Sequence, residues 1–357
     1  LNDCIKTGWI SSRGKYVNQF EDKFKNFIRA KYSLSTSSCT TALHLALKTL
    51  GIKKGDEVIV PNYTFVSPIN SVIHSGAKPV IADIETRNLC MSLNSIKKKI
   101  TKRTKAIIIV HTYGHAAEID KITKYAKKNK ILLIEDCAEA LGTYFKKKHV
   151  GIFGDCSCFS FYGNKTISTG EGGMLTTNNK KNAIKAKNLK ELAFGNKNKF
   201  IHSDIGYNYR LTNIQAAIGC GQMRKIKFII NSKRKLAERY RKLLNHKKYF
   251  ILPKDDKEHF NVYWMYLIIL KDEYIDHREF IMKKLKISGI ETREGFVSAT
   301  LQKYFIKNNI ISRKHKCPNA EKASSSAFYL PSSPDLSLKE QKYICDKLLN
   351  IMNLISN

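Results

Sequence analysis

The chain has 357 residues, 43% of them hydrophobic, enough for one large domain and one smaller one. No run of about 18 apolar residues occurs, so no membrane-spanning helix is expected. Lys and Arg number 63 against 30 Asp and Glu, a formal charge of +33 that would attract anions, although the joint abundance of Lys, Asn and Ile attributes most of it to compositional bias. The lysines are spread over stretches such as Lys97–Lys99, Lys124–Lys130 and Lys146–Lys148. They do not form the basic cluster with interleaved aromatics that specific nucleic-acid binding requires.

Leu43, Ala46, Leu47 and Leu50 stand at helical spacing before Gly51 and predict a helix over Thr40–Leu50. Short apolar runs predict strands at Glu57–Pro61, Pro79–Ala82, Ala106–Val110, Ile131–Glu135, Ser157–Phe161 and Gly173–Thr177, with a helix at Glu118–Asn129. Continuous Ile/Leu/Val runs alternating with helices imply a buried, mostly parallel sheet covered on both faces, an α/β architecture. From Thr212 the pattern is helical to about Asn245. A polar stretch, Leu252–His259, precedes a smaller α+β pattern: strand Tyr263–Leu270, helix Arg278–Lys286, a loop over Thr292–Thr300 and a final helix Leu338–Leu354. The expected division is a large unit over 1–240 and a small C-terminal unit over 241–357. The nine cysteines are irregularly spaced without a C-x-x-C pair, which points to reduced thiols, no metal and a cytoplasmic setting.

In open parallel α/β sheets, ligands bind beyond the carboxyl ends of the strands. Four clusters fall at such ends: Pro61–Phe65, His111–Gly114, Glu135-Asp136, and Ser160–Lys165. Lys165 lies between a short strand and the glycine-rich turn Gly170–Gly173, where a desolvated lysine becomes a nucleophilic amine. Asp136 ends an aliphatic run, where an ionised carboxylate keeps a pyridine nitrogen protonated. The same run could be a Walker-B carboxylate, but the Gly-Lys pair of a P-loop is missing at Gly163–Thr166. Ser35–Thr41 supplies small hydroxyl residues before a helix, fit for capping or for cradling a phosphate. His111 and His115 are separated by a Tyr-Gly turn, which argues against a helical metal pair.

With these motifs, and strongest between residues 36 and 216, the chain resembles the DegT/DnrJ/EryC1/StrS family, pyridoxal 5′-phosphate (PLP) aminotransferases that act on keto sugars carried on nucleotides. The resemblance implies the aspartate-aminotransferase-like fold type I, with Lys165 as the Schiff-base lysine and Asp136 as the pyridinium partner. It places Ser38, Cys39 and Thr40 at a phosphate turn, Ser160 at a second phosphate hydroxyl, Phe65 on the cofactor ring and Glu139 near its hydroxyl. Asn208 then reaches the cofactor of a partner subunit, which implies a homodimer with shared sites. Trp9, Ser11, Tyr162, Glu171 and Arg293 are the candidate substrate contacts. Cys39 stands where many members have Gly, Asn213 where many have an acid, and Glu294 where a proline usually follows the arginine.

The implied reaction is transamination of the C4 keto group of a nucleotide-linked 4-keto-6-deoxyhexose. Glutamate is the donor, 2-oxoglutarate leaves, and pyridoxamine 5′-phosphate (PMP) is the intermediate form of the cofactor. The product is a viosamine- or perosamine-type sugar. Amination at C3, or a PLP enzyme acting on an amino acid, are the alternatives.

Overall fold

A computed structural model describes residues 1–356 apart from 196, 197, 199, 246, 247 and 313–315. Seven strands form the main sheet: β1 (Tyr32–Thr36), β2 (Glu57–Pro61), β3 (Lys78–Ala82), β4 (Thr104–Val110), β5 (Leu132–Asp136), β6 (Cys156–Ser160) and β7 (Gly173–Thr177). Their order is β1-β7-β6-β5-β4-β2-β3. From β6 to β3 every pairing is parallel, and β7 runs antiparallel to both β6 and β1. Strand residues alternate between two cores. Ala106 and Ile108 of β4 enter one, Ile107 and Ile109 the other, which is why the run reads as continuously apolar.

The structure shifts several expected limits by one or two residues. β5 runs one residue further than expected and makes Asp136 its last member, level with Cys158 of β6. β1 was not foreseen. Its sequence, Tyr-Ser-Leu-Ser-Thr, carries little apolar signal, and it is held by the ladder to β7 and by Glu21, whose carboxylate accepts from the Ser35 amide at 2.7 Å. Glu21 lies on helix α1 (Lys15–Ile28). Helix α2 (Cys39–Thr49) starts on a capping box between Ser38 and Thr41. The helical stretch expected from Thr212 is two helices, α3 (Asn213–Arg224) and α4 (Ile226–Leu243), broken at Lys225.

A four-stranded antiparallel sheet follows, in the order β8-β9-β11-β10: β8 (Phe250–Ile251), β9 (Tyr266–Leu270), β10 (Arg293–Glu294) and β11 (Ala327–Leu330). The strand expected from Tyr263 begins at Tyr266, because Tyr263 has φ 53°, a left-handed conformation no strand accommodates. The region expected as a loop near Thr292 contains β10. Residue 240, where a division is expected, lies inside α4, which packs in two cores. Ile226 and Ile230 pack with the main sheet, whereas Leu236, Ala237 and Tyr240 pack with the small one. All nine cysteines are buried and unpaired. Among the described residues, no helix is long and apolar enough to cross a membrane.

Candidate active site

Beyond the ends of β5 and β6, the chain brings Lys165, Asp136, Glu139 and Cys39 together. The Lys165 amine stands 4.0 Å from Glu139 Oε1. Burial pushes its pKa down, against the pull of Glu139 and Asp136. Burial also pushes the Glu139 carboxyl up to about 7, although Lys165 and the Tyr113 amide, which donates to its Oε2 at 2.6 Å, favour the charged form. Asp136 is raised by burial too. Its Oδ1 accepts from the Ala138 amide at 2.9 Å and faces Cys39 Sγ at 3.8 Å. Among the described residues, no donor meets its second oxygen.

The N-terminus of α2 abuts this cluster. Gly173 of β7 lies opposite both Thr36 of β1 and Ser160 of β6. A Cβ at Gly173 would stand 2.4 Å from the Ser38 carbonyl carbon, so only glycine lets the sheet approach the helix start so closely. Ser38, Thr40 and Ser160 thereby gather at one end of the sheet, and the Thr40 hydroxyl meets Ser67 at 2.8 Å. A buried carboxylate awaiting a cation, a desolvated amine and a glycine-cleared helix N-terminus fit PLP: ring nitrogen, aldehyde and phosphate each find their counterpart.

A cleft of about 480 Å³ opens from Lys165 and is lined also by Asn164, Lys233, Arg293, Tyr329 and Ser332. It therefore includes Arg293, the candidate substrate contact from the C-terminal part of the chain; its guanidinium lies 3.4 Å from Glu291. Other predicted residues stand apart from this cleft. Phe65 is 58% exposed and meets Phe296 edge-on at 6.3 Å, over a separate depression. Tyr162 is exposed, its carbonyl accepting from the Lys165 amide at 2.9 Å. Glu171 is exposed, and its carbonyl accepts from Gln215 Nε2 at 2.9 Å. Asn208, also exposed, accepts through Oδ1 from Arg210 Nε at 2.9 Å. Trp9 and Ser11 lie in the N-terminal segment, where Asn213 donates to the Trp9 carbonyl through Nδ2 and to the Ser11 carbonyl through its amide, both at 2.6 Å. The Asn213 Oδ1 accepts from the Tyr16 amide at 3.0 Å, so a side chain with both a donor and an acceptor is used where an acid offers only acceptors.

Sequence reasoning missed Tyr113, Trp264 and Lys233. The Tyr113 ring stacks between Phe296 at 4.8 Å and Trp264 at 5.8 Å, and Tyr113 occupies the left-handed region at φ 52°. Lys233 lies on the apolar stripe of α4 with Ile226, Ile230 and Tyr240, a misplaced charge that was a legible signal. His111, Glu135 and Cys137 bring ligand atoms within 4.8 Å of one another. Glu135 is already saturated by the amides of Gly151, Phe153 and Gly154, the Ser157 hydroxyl and His111 Nε2. His111 Nδ1 accepts from the Ala117 amide, so this cluster braces the sheet.

The DegT/DnrJ/EryC1/StrS aminotransferase family model matches residues 1–349. The chain is 42% identical to the GDP-perosamine synthase of Vibrio cholerae, over 99% of this chain and 96% of that one. Among solved structures, an aminotransferase from Psychrobacter cryohalolentis superposes with a TM-score of 0.94 at 25% identity, covering 100% of this chain and 96% of that one. NtdA from Bacillus subtilis, solved with bound PMP, gives 0.90 at 28% identity, covering 99% and 80%. A largely buried lysine facing two carboxylates at the mouth of this sheet, and a family match along almost the whole chain, lead to one conclusion: the chain belongs to the DegT/DnrJ/EryC1/StrS aminotransferase family and is a PLP-dependent aminotransferase.

Proposed function

We propose that this sugar aminotransferase aminates the C4 keto carbon of a 4-keto-6-deoxyhexose carried on GDP, giving a perosamine-type sugar. The observation that carries the chemistry is the desolvated Lys165 amine, 4.0 Å from Glu139 in the cleft behind which Asp136 lies. Likeness to a GDP-perosamine synthase along 99% of the chain supports the substrate class. Glutamate is the proposed donor. The proposed working form is a homodimer in which Asn208 serves the partner's site.

PLP, when bound, supplies the electron sink that stabilises negative charge next to the transferred nitrogen. Asp136 would hold the ring nitrogen protonated, and a cation there would oppose the upward push that burial exerts on this carboxyl. Ser38, Cys39 and Thr40, at the positive end of α2, would hold the phosphate together with Ser160. Lys165 Nζ is the amine that would join the cofactor's aldehyde, and as a free amine it would serve as the base and acid that moves the proton at the donor's α-carbon. Glu139, neutral or charged near pH 7, lets the pair keep one proton as the amine changes state. Arg293 at the cleft rim offers a cation to the nucleotide diphosphate.

The test follows absorbance of protein purified with PLP. Glutamate should abolish the visible band, and the GDP-linked 4-keto-6-deoxy sugar should restore it and yield the 4-amino product. Restoration only by the dTDP or UDP sugar would overturn the nucleotide assignment, and a 3-amino product the C4 assignment. Restoration only by α-keto acids would mark an enzyme of amino acids.

A further inference from the structure

The Lys165 amine is held by more than carboxylates. Its Nζ lies 3.6 Å from the centroid of the Trp264 ring, closer than its 4.0 Å separation from Glu139. The same indole donates Nε1–H to the carbonyl of Asn164, the residue before the lysine, at 2.8 Å. One side chain thus touches both the reactive amine and the turn that carries it. Trp264 is itself fixed from three sides. Its amide donates to the Tyr113 carbonyl at 3.2 Å, and the Tyr113 ring stacks on the indole at an interplanar angle of 18°. Its carbonyl accepts from Lys233 Nζ at 3.0 Å. Lys233 is buried, has no carboxylate partner among the described residues, and gives a second hydrogen bond to the Ser332 carbonyl at 3.2 Å. A buried ammonium paired only with carbonyls costs stability, and two strand-flanking segments are pinned in return.

We propose that Trp264 is a positioning residue for Lys165. Its indole face receives the amine whenever that amine is not joined to the cofactor, and its N–H fixes the turn beneath it. This rests on the reading of Lys165 as the cofactor-linked lysine. An amine largely screened from solvent keeps little of its water shell, and an indole face is the aromatic surface that best attracts a cation. Held there, the amine stays in reach for proton transfer without a close ion pair to Glu139 that would lock its proton. The groups that face it are Glu139, Asp136 and the Cys39 thiol, while Lys233 bonds the Trp264 carbonyl.

The chain has two tryptophans, so in apoenzyme carrying Trp9→Phe all indole emission comes from Trp264. That emission should titrate with pH, and Lys165→Met should abolish the titration while Glu139→Gln only displaces it. A titration indifferent to Lys165→Met overturns the proposal. The second measurement is the pH profile of PLP capture by apoenzyme. Removing the ring removes a stabilisation of the ammonium, so Trp264→Leu should shift the profile to lower pH by about half to one unit, with Trp264→Phe between. A slower capture at every pH with no shift would mean a structural role alone. If Lys165→Met still develops the visible band with PLP, the reading of Lys165 itself fails. If the band is lost in Lys165→Met yet Trp264→Leu leaves the profile in place, only the role of Trp264 fails.

Discussion

Lys165 and Glu139 oppose one another's protonation, and the balance is measurable. Replacing Lys165 by Ala should remove the covalent cofactor link and lower turnover by at least about 10⁴-fold in single-turnover assays. Asp136→Asn should retain PLP by equilibrium dialysis yet lose about 10²–10⁴-fold in rate, because a neutral amide no longer holds the ring nitrogen protonated. Glu139 gives a pH signature in apoenzyme. Its folded pKa of about 7 exceeds that of an unfolded glutamate, so the folded state holds the extra proton in between. Stability should therefore fall as pH rises from about 4.5 to 7, and Glu139→Gln should flatten that slope in urea titrations. Lys165 and Asp136 can be nominated from sequence because Asp136 closes a strand that the apolar pattern marks and Lys165 lies in the turn just past another. Trp264 cannot: it follows a left-handed Tyr263 in a segment that reads as strand, and its neighbours Tyr113 and Lys233 are 151 and 31 residues away in sequence.

At the scale of elements, two devices build the site. Glu135 takes five donors and stitches β5 to the segment Gly151–Ser157 and to His111. Glu135→Ala leaves those donors unpaired and should cost about 3–5 kcal/mol, measured by denaturant unfolding. Gly173 permits the close seat of β7 against the start of α2. Gly173→Ala should push the helix N-terminus away and weaken PLP binding by fluorescence titration, more than it lowers unfolding free energy. The parallel strands were readable because both of their faces are apolar. β1 was not, because its alternation of Ser and Leu looks like loop and its partner β7 lies 137 residues further on (173 − 36, from Thr36 to Gly173). The helix break at Lys225 left no glycine or proline to announce it.

For the molecule as a whole, α4 joins two cores, its first turns in one and its last turns in another. Asn208, on the surface and away from the cleft of its own chain, fits the proposed dimer. Mixing Lys165→Ala chains with Asn208→Ala chains should regain activity absent from either alone, with light scattering reporting the dimer. The change of pattern after Thr212 suggests a large and a small unit, but α4 packs in both cores and marks no single boundary. The nine buried thiols carry a different consequence. Burial holds those of Cys39, Cys137 and Cys158 well above the ordinary thiol range, and pushes Cys90, Cys156, Cys317 and Cys345 up to about 12. In the closed fold, burial shields them from reagents. Sulfhydryl reagents therefore report when the chain opens, and Cys39, beside Asp136, is a natural clock for the site itself: its labelling rate, with and without cofactor, gives how often that pocket breathes.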